Sequence, residues 1–166
     1  MKKVLLGIAG ALVVTIGGVA AAASMQPETT HVERSVTVAA SAADLEPHVS
    51  DFTNFVNWSP WTGLDPDQTT TFSDPSGGQG AWYTWEGNDD VGKGRMDLTL
   101  QEPGKVTHHL TFLEPFAAEA DANILWTQQG DGLEVTWTYD ADNDFMGKVM
   151  SLFMDMDDML GPDYEK

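Results

Sequence analysis

The chain has 166 residues, with 8 Lys and Arg against 26 Asp and Glu, and it contains no Cys. The length predicts one ordinary domain, and the lack of Cys excludes disulfides, thiolate metal sites and thiol catalysis. The formal net charge of -18 excludes nucleic acid as a partner, because Lys and Arg must neutralise phosphates.

The N-terminus has the pattern of a targeting element. Lys2 and Lys3 precede an uncharged stretch from Val4 to Pro27, with small residues at Ala20–Ala23. This pattern is typical of a secretory signal peptide, but the stretch is also long enough to span a bilayer once. Residues 1–25 are therefore predicted to be a cleaved signal or a single anchor. In both cases the domain lies outside the cytoplasm, exported or anchored, and this segment is its only membrane contact.

The domain is predicted to begin with a strand and two short helices. Residues 26–30 form a polar linker, and the domain covers residues 31–166. The stretch His31–Ala39 alternates apolar and polar side chains, as a half-buried strand does. Ser41 and Asp51 then precede segments through about residues 49 and 58, and both residue types are suited to cap a helix.

About six further strands follow at close spacing. Turns that contain Gly or Pro separate them, which predicts hairpins and hence an antiparallel, curved sheet. Met96, Leu98 and Leu100 are expected to face inward, as are Trp126 and Trp137. The predicted strands are Thr69–Phe72, Gly80–Glu86, Gly94–Leu100, the row Val106, His108, Leu110 and Phe112, Ala118–Gln128, and the row Leu133, Val135, Trp137 and Tyr139.

The last predicted element is one amphipathic helix from about Asp144. Gly161 and Pro162 are interpreted as its stop or as a kink. Laid on the concave face of the sheet, such a helix closes a core or leaves a cavity. Its apolar stripe is Met146, Val149, Met150, Phe153 and Met156.

Several motifs carry a resemblance to a known family. They are Val32–Val38, Asn57–Trp61, Tyr83–Asn88, Gly92–Met96, Leu113–Phe116, Val135–Trp137 and Lys148–Asp158. Together with the order of elements, they resemble the SRPBCC superfamily, the START and birch-pollen-allergen-like helix-grip fold. Within it, the chain resembles the polyketide cyclase/dehydrase and lipid-transport group.

The resemblance covers residues 31–166 and implies an α+β helix-grip domain. Its curved antiparallel sheet has about six to seven strands, wraps on a C-terminal helix, and carries two short helices after strand 1. The resemblance also implies an apolar small molecule as partner and no cofactor. Members of the group usually continue the C-terminal helix further, whereas this chain stops at Lys166. One end of its cavity is therefore expected to be open.

Candidate ligand contacts come from the inward rows, the Trp-rich corners and the Met-rich helix. Trp offers a flat apolar surface with one N–H donor, and Met adapts to ligands of variable shape. Packing in the core is the alternative role for each of them. The candidates are Trp58, Trp61, Trp85, Met96, His108, Leu110, Phe112, Trp126, Trp137, Met150 and Phe153.

Two polar residues are in phase with the inward apolar rows. His108 is predicted to orient a ligand or act as a general base, or else to be a satisfied core residue. Arg34 is predicted to bind a ligand carboxylate or to pair with an inward acid, because a buried unpaired guanidinium is costly. Asp140, Asp142 and Asp144 imitate the start of a calcium loop, but the Gly and Glu that such a loop needs are missing, so no metal site is assigned.

The predicted function is binding, as carrier or sensor, of a small hydrophobic molecule of lipid-like or polyketide-like character. One alternative is a cyclase/dehydrase-type enzyme that acts on an apolar carbonyl compound, although no catalytic residue is assigned. Another is an envelope protein–protein interaction module with a closed core and an exposed apolar patch. The orientation of Trp58, Trp61 and Trp85 discriminates between them, since inward rings favour a pocket and clustered outward rings favour a protein partner.

Overall fold

The computed structural model describes residues 14–165. All strands of this part of the chain belong to one sheet. Residues 14–23 are helical. The elements that follow are β1 (Thr29–Val38), α1 (Ala42–Ser50), α2 (Phe52–Phe55), β2 (Thr69–Phe72), β3 (Trp82–Glu86), β4 (Lys93–Glu102), β5 (Lys105–Glu114), β6 (Ala118–Gln129), β7 (Gly132–Asp142), α3 (Phe145–Met150) and α4 (Met156–Tyr164). The described strands form one antiparallel sheet in the order β1-β7-β6-β5-β4-β3-β2. The predicted α+β class and curved antiparallel sheet are confirmed.

The side-chain rows of the sheet follow the predicted alternation except at one bulge in β4. Leu98 pairs with His108, but the register shifts after it, and Leu100 pairs with Thr107. Because a one-residue shift turns side chains to the other face, Leu100 leaves the inner row that the alternation predicts for it. Met96 and Leu98 keep their inward positions and are almost fully buried.

The helices α1 and α2 cross one end of the concave face. Ser41 and Asp44 form a capping box at the start of α1. The Asp51 side chain caps α2 by accepting the backbone N–H of Thr53 at 2.9 Å. These caps satisfy backbone donors that a helix N-terminus leaves free, and they confirm both predicted helix starts. The second helix ends at Phe55, earlier than predicted.

The C-terminal segment forms two helices and not the single helix that the apolar stripe predicts. Asp144 caps α3, and Asp155 caps α4 by accepting the backbone N–H of Asp157 at 2.9 Å. Carboxylates are favoured at helix N-termini, so acids at positions 155, 157 and 158 favour a new helix start over a continuous helix. Of the two interpretations of Gly161 and Pro162, a stop or a kink, the stop is wrong, since α4 continues through both residues to Tyr164.

The N-terminal boundary differs slightly from the predicted one. The strand β1 begins at Thr29, within the stretch predicted as a linker. Ala23, at the end of the helical residues 14–23, is fully buried. Among residues 14–165, no helix is long and apolar enough to cross a membrane. Residues 1–13 of the predicted targeting element lie outside the described part of the chain.

Candidate functional site

The inner face of the sheet is densely packed beneath α1 and α2. Phe52 and Phe55 from α2 lie against the rows of β3 to β7, and both are almost fully buried. Met96 and Trp126, two of the predicted ligand contacts, are 3% and 5% exposed within the same cluster. In this conformation both side chains contribute to the packing of the core.

His108 is at the centre of this packed region and has a structural hydrogen bond. It is fully buried, and its Nε2 donates to the backbone carbonyl of Val49 at 2.9 Å. Its Nδ1 has no partner, and the rings of Phe52 and Phe55 lie 5.4 Å from the imidazole. Burial lowers the pKa of His108 to about 4, so the ring is neutral near pH 7 and joins β5 to α1.

Arg34, the second polar candidate, is paired with two carboxylates. Its NH1 and NH2 donate to Asp157 at 2.8 Å each, and its Nε donates to Glu165 at 2.9 Å. These hydrogen bonds raise the pKa of Arg34 and lower that of Asp157. The guanidinium packs directly on Gly161, where a Cβ would collide with it. The structure thus uses Arg34 to hold α4 against β1, and its charge is already balanced.

Replacing Arg34 by Gln should loosen α4 without unfolding the sheet. The substitution removes the charge that holds Asp157 and Glu165, while the inner rows of the sheet keep their contacts. We expect backbone amides of α4 to exchange with solvent at least about tenfold faster, with β6 amides unchanged. Hydrogen exchange followed by mass spectrometry measures both. Arg95→Gln is the matched control, because Arg95 pairs with Asp97 away from α4; equal exchange of α4 in the two variants would contradict the prediction.

An aromatic cluster surrounds Trp137 at the boundary between the two ends of the concave face. The ring of Tyr164 from α4 stacks on Trp137 with centroids 4.3 Å apart and planes 4° apart. Trp58 and Trp61 meet Trp137 with their centroids at 5.4 Å and 5.8 Å, at steep angles. Trp61 also lies 6.1 Å from Tyr164. The indole Nε1 of Trp137 is buried and has no hydrogen-bond partner.

Tyr164 occupies the middle of the predicted ligand site. It packs with both hydrophobic clusters of the domain, the larger one beneath α1 and α2 and a smaller one formed by Val32, Ala120 and Tyr139. Burial raises the pKa of its phenol well above the usual range, so the ring is neutral. The space that the sequence predicts between sheet and helix is therefore filled by a side chain of the protein itself.

The strands β3 to β5 carry the more open part of the concave face. Trp85, Leu110 and Phe112 are half-buried there, and the Trp85 and Phe112 rings meet edge to face at 5.9 Å. Trp85 is held by its Nε1, which donates to the carbonyl of Val91 at 3.0 Å, and by close packing over Gly94. The structure thus places these three predicted contacts on one apolar surface.

Two predicted contacts lie away from this surface. Met150 is 36% exposed and Phe153 is 74% exposed, on α3 and the loop after it. The sequence predicts both over the sheet, because their stripe has the spacing of the inner face of one long helix. Because the segment breaks between α3 and α4, these two residues do not lie over the sheet, and of the two C-terminal helices only α4 packs against the concave face. Trp58 lies at the edge of the concave face and is 40% exposed, although the indole ring faces Phe55 and Trp137.

Two surface grooves lie elsewhere on the described chain. One of about 550 Å³ runs between α1 and the turn at residues 75–78, and Glu46 and Asp51 are among its lining residues. Another of about 240 Å³ is lined by the predicted contact Trp85 and by side chains such as Thr84, Lys93 and Arg95. The acids Asp140, Asp142 and Asp144 do not converge, and residues 14–165 contain no group of three or more His, Cys, Asp or Glu placed to hold a metal ion.

Four residues of this region are not among the contacts predicted from the sequence. Asp157, Gly161, Tyr164 and Glu165 lie in or beside α4, beyond the stripe that defined the predicted helix. The available signal was Asp155, which precedes Asp157 and Asp158 as a cap precedes a first turn. A helix that begins after Asp155 includes Tyr164 and brings it into the predicted site.

Comparisons with known proteins agree with this architecture. A family model described as polyketide cyclase / dehydrase and lipid transport matches residues 29–165, whereas no curated protein matches the chain. The solution structure of the Aha1 dimer from Colwellia psychrerythraea is 13% identical, covers 82% of this chain and 87% of its own, and has a TM-score of 0.53. Protein Ms6760 from Mycobacterium smegmatis is 18% identical, with coverages of 81% and 83% and a TM-score of 0.53. Ginseng major latex-like protein 151 from Panax ginseng is 13% identical, with coverages of 75% and 94% and a TM-score of 0.50. At such identities these likenesses show the fold alone.

Proposed function

The chain belongs to the polyketide cyclase/dehydrase and lipid-transport family, and from this membership we propose that it binds a small hydrophobic molecule, as a carrier or sensor, at the face of Trp137. Membership suggests hydrophobic ligands in general. The observation that carries the finer proposal is the stack of Tyr164 on Trp137 at 4.3 Å. A ring from the chain itself occupies the position that a flat apolar ligand would take.

The weak attachment of α4 supports the exchange of Tyr164 for a ligand. Gly161 is the one buried residue of this helix, and the ion pairs of Arg34 are partly exposed to solvent. Helices with few buried contacts open locally at a lower free energy than the whole domain unfolds. A ligand that binds only the open form would shift the population toward it.

The chemistry around Trp137 indicates what the ligand should carry. Edge-on aromatic contacts from Trp58 and Trp61 around the stacking face of Trp137 favour a planar, apolar group. The unpartnered Nε1–H of Trp137 favours a hydrogen-bond acceptor on that group. A ring that bears a carbonyl or ether oxygen would satisfy both preferences.

The first test is native mass spectrometry of the protein purified from its own host, followed by organic extraction. We expect a stoichiometric apolar molecule in a fraction of the protein. The extract then identifies the compound for titration.

Replacing Tyr164 by Ala is expected to strengthen binding of an apolar reporter dye, N-phenyl-1-naphthylamine. The apparent dissociation constant depends on the fraction of molecules with the site open, so removal of the competing ring should tighten binding by about tenfold or more. Fluorescence titration measures this, with Phe116→Ala as the control, because Phe116 is 68% exposed away from the stack. Equal affinity of wild type and Tyr164→Ala, with circular dichroism showing an intact fold, would refute the proposal.

The enzymatic alternative has little geometric support. It needs His108 and Arg34 free in a common cavity, whereas His108 bonds to Val49 and Arg34 bonds to acids of α4 and its C-terminal cap. The interaction-module alternative expects a closed core and an exposed apolar patch, and it is favoured by the packed inner face of the sheet and by the exposed apolar surface of α3. A clean apo mass combined with no dye binding by Tyr164→Ala would favour that alternative.

A further inference from the structure

The helix α3 and the loop after it expose a cluster of large apolar side chains. Phe145 and Met146 are 59% and 60% exposed, Phe153 is 74% exposed, and Met150 and Met154 are also exposed. These residues are called the α3 patch below. Single exposed apolar side chains are ordinary, but several within ten residues of an acidic protein indicate a surface that is covered in use.

The α3 patch begins beside the point where the N-terminal segment joins the domain. The backbone N–H of Asn143 donates to the carbonyl of Glu28 at 2.8 Å, and its side-chain amide donates to the carbonyl of Pro27 at 3.2 Å. Thr30 donates to the Asn143 side chain at 3.0 Å, and Lys148 in α3 lies 3.9 Å from Glu28. The start of α3 is thus tied directly to residues 27–30.

The segment that enters this corner is itself suited to a bilayer. It carries no charge between Val4 and Pro27, and about 20 apolar residues suffice to span the hydrocarbon core. With that segment retained in a membrane, Glu28 lies at the membrane surface. The bonds from Asn143 then place α3 at the same level.

We propose that the α3 patch inserts into the surface of the bilayer that holds the N-terminal segment, as a second membrane contact of this protein. Phe and Met side chains on a short surface helix are suited to the boundary between headgroups and acyl chains. The proposal is independent of the function proposed for the face of Trp137, since it concerns a different surface and a different occupant.

Charge favours lipid over a second copy of the chain. Asp142, Asp144 and Asp155 flank the patch, and the chain as a whole carries a formal charge of -18. Two copies joined at α3 would bring these carboxylates together, which is unfavourable. A zwitterionic surface such as phosphatidylcholine carries no net charge and avoids that repulsion.

The lack of native Cys makes the test direct. The full chain with Phe153→Cys carries one nitroxide label and is reconstituted into phosphatidylcholine nanodiscs. A second chain with Thr127→Cys is the control, because Thr127 lies near the β6–β7 turn, at the far end of a strand that spans roughly 35 Å. Both positions are exposed, so neither label disturbs the core.

We expect the label at 153 to be relaxed more strongly by oxygen, which partitions into lipid, than by a water-soluble nickel chelate. The label at 127 should show the reverse. Equal behaviour of the two labels, spin–spin broadening between copies at 153, or failure of the full chain to enter the nanodisc would each overturn the proposal. Immobilisation of the label at 153 only after addition of host envelope proteins would also overturn it.

Discussion

Replacing Phe55 by Ala is expected to remove a large part of the stability of the domain. The ring is fully buried and meets Trp58, Tyr83, His108 and Trp137 at centroid distances from 5.0 to 6.4 Å. Removal of a buried Phe ring loses its transfer free energy and leaves a cavity, which costs about 3–5 kcal/mol. The free energy of unfolding of a whole domain is only about 5–15 kcal/mol.

Urea unfolding followed by Trp fluorescence measures this change. The control is Phe153→Ala, which should alter the free energy of unfolding by less than about 0.5 kcal/mol, because Phe153 is 74% exposed. If Phe55→Ala does not fold, Phe55→Leu should still unfold measurably earlier, with a loss of about 1 kcal/mol or more. A loss in Phe55→Ala no greater than that in Phe153→Ala would contradict the packing described here.

The two ends of the concave face differ in how firmly they are held. The cluster around Phe55 includes residues of α1, α2 and strands β3 to β7, and it packs against the buried His108. The cluster beneath α4 has three buried residues, Val32, Ala120 and Tyr139, and the partly buried Met156, Leu160 and Tyr164 pack against them. Local opening should therefore begin at α4, while the sheet and α2 stay intact. This difference in packing allows the proposed exchange at Trp137 without unfolding of the sheet.

Most of the sheet is predictable because alternation is a local property of the sequence. The row from Val106 to Phe112 identifies its own inner face through side chains two residues apart. The bulge after Leu98 was missed, since the residues around it alternate regularly and only pairing with β5 reveals the shift. Such irregularities depend on the neighbouring strand and carry no signal of their own.

The candidate site was predicted less well because it depends on the C-terminal helices. The stripe from Met146 to Phe153 has helical spacing, and spacing alone cannot say whether an apolar face meets the sheet or another surface. Asp155 divides the segment, and Tyr164 reaches Trp137 only as a result of that division. Of the two roles predicted for Arg34, a ligand carboxylate or an inward acid, the structure shows pairing with an acid, but Asp157 is half exposed and its identity required the folded chain.

The buried imidazole of His108 predicts a loss of stability in mild acid. Its pKa is lowered to about 4 by burial, whereas an unfolded His titrates near 6.5. Below pH 6.5 the unfolded chain takes up a proton that the folded chain does not, so stability that is present above pH 6.5 is lost as the pH falls toward 4. The loss approaches about 1.4 kcal/mol per pH unit and sums to about 3 kcal/mol. Carboxylates change the free energy of unfolding in a lower pH range, because hydrogen bonds such as that from Thr53 lower the pKa of Asp51 below 3.8.

Replacing His108 by Gln should remove this slope between pH 6.5 and 4. The Gln side chain has an amide donor in the place of Nε2 and can keep the hydrogen bond to the Val49 carbonyl, but it does not titrate. The free energy of unfolding, measured by urea titration at several pH values, should therefore fall less steeply in the variant than in the wild type. The remaining three His residues, His31, His48 and His109, are present in both chains and cancel in the difference. Parallel curves would mean that His108 is accessible to protons in the folded state, and the packed core around Phe55 would then have to open at that pH.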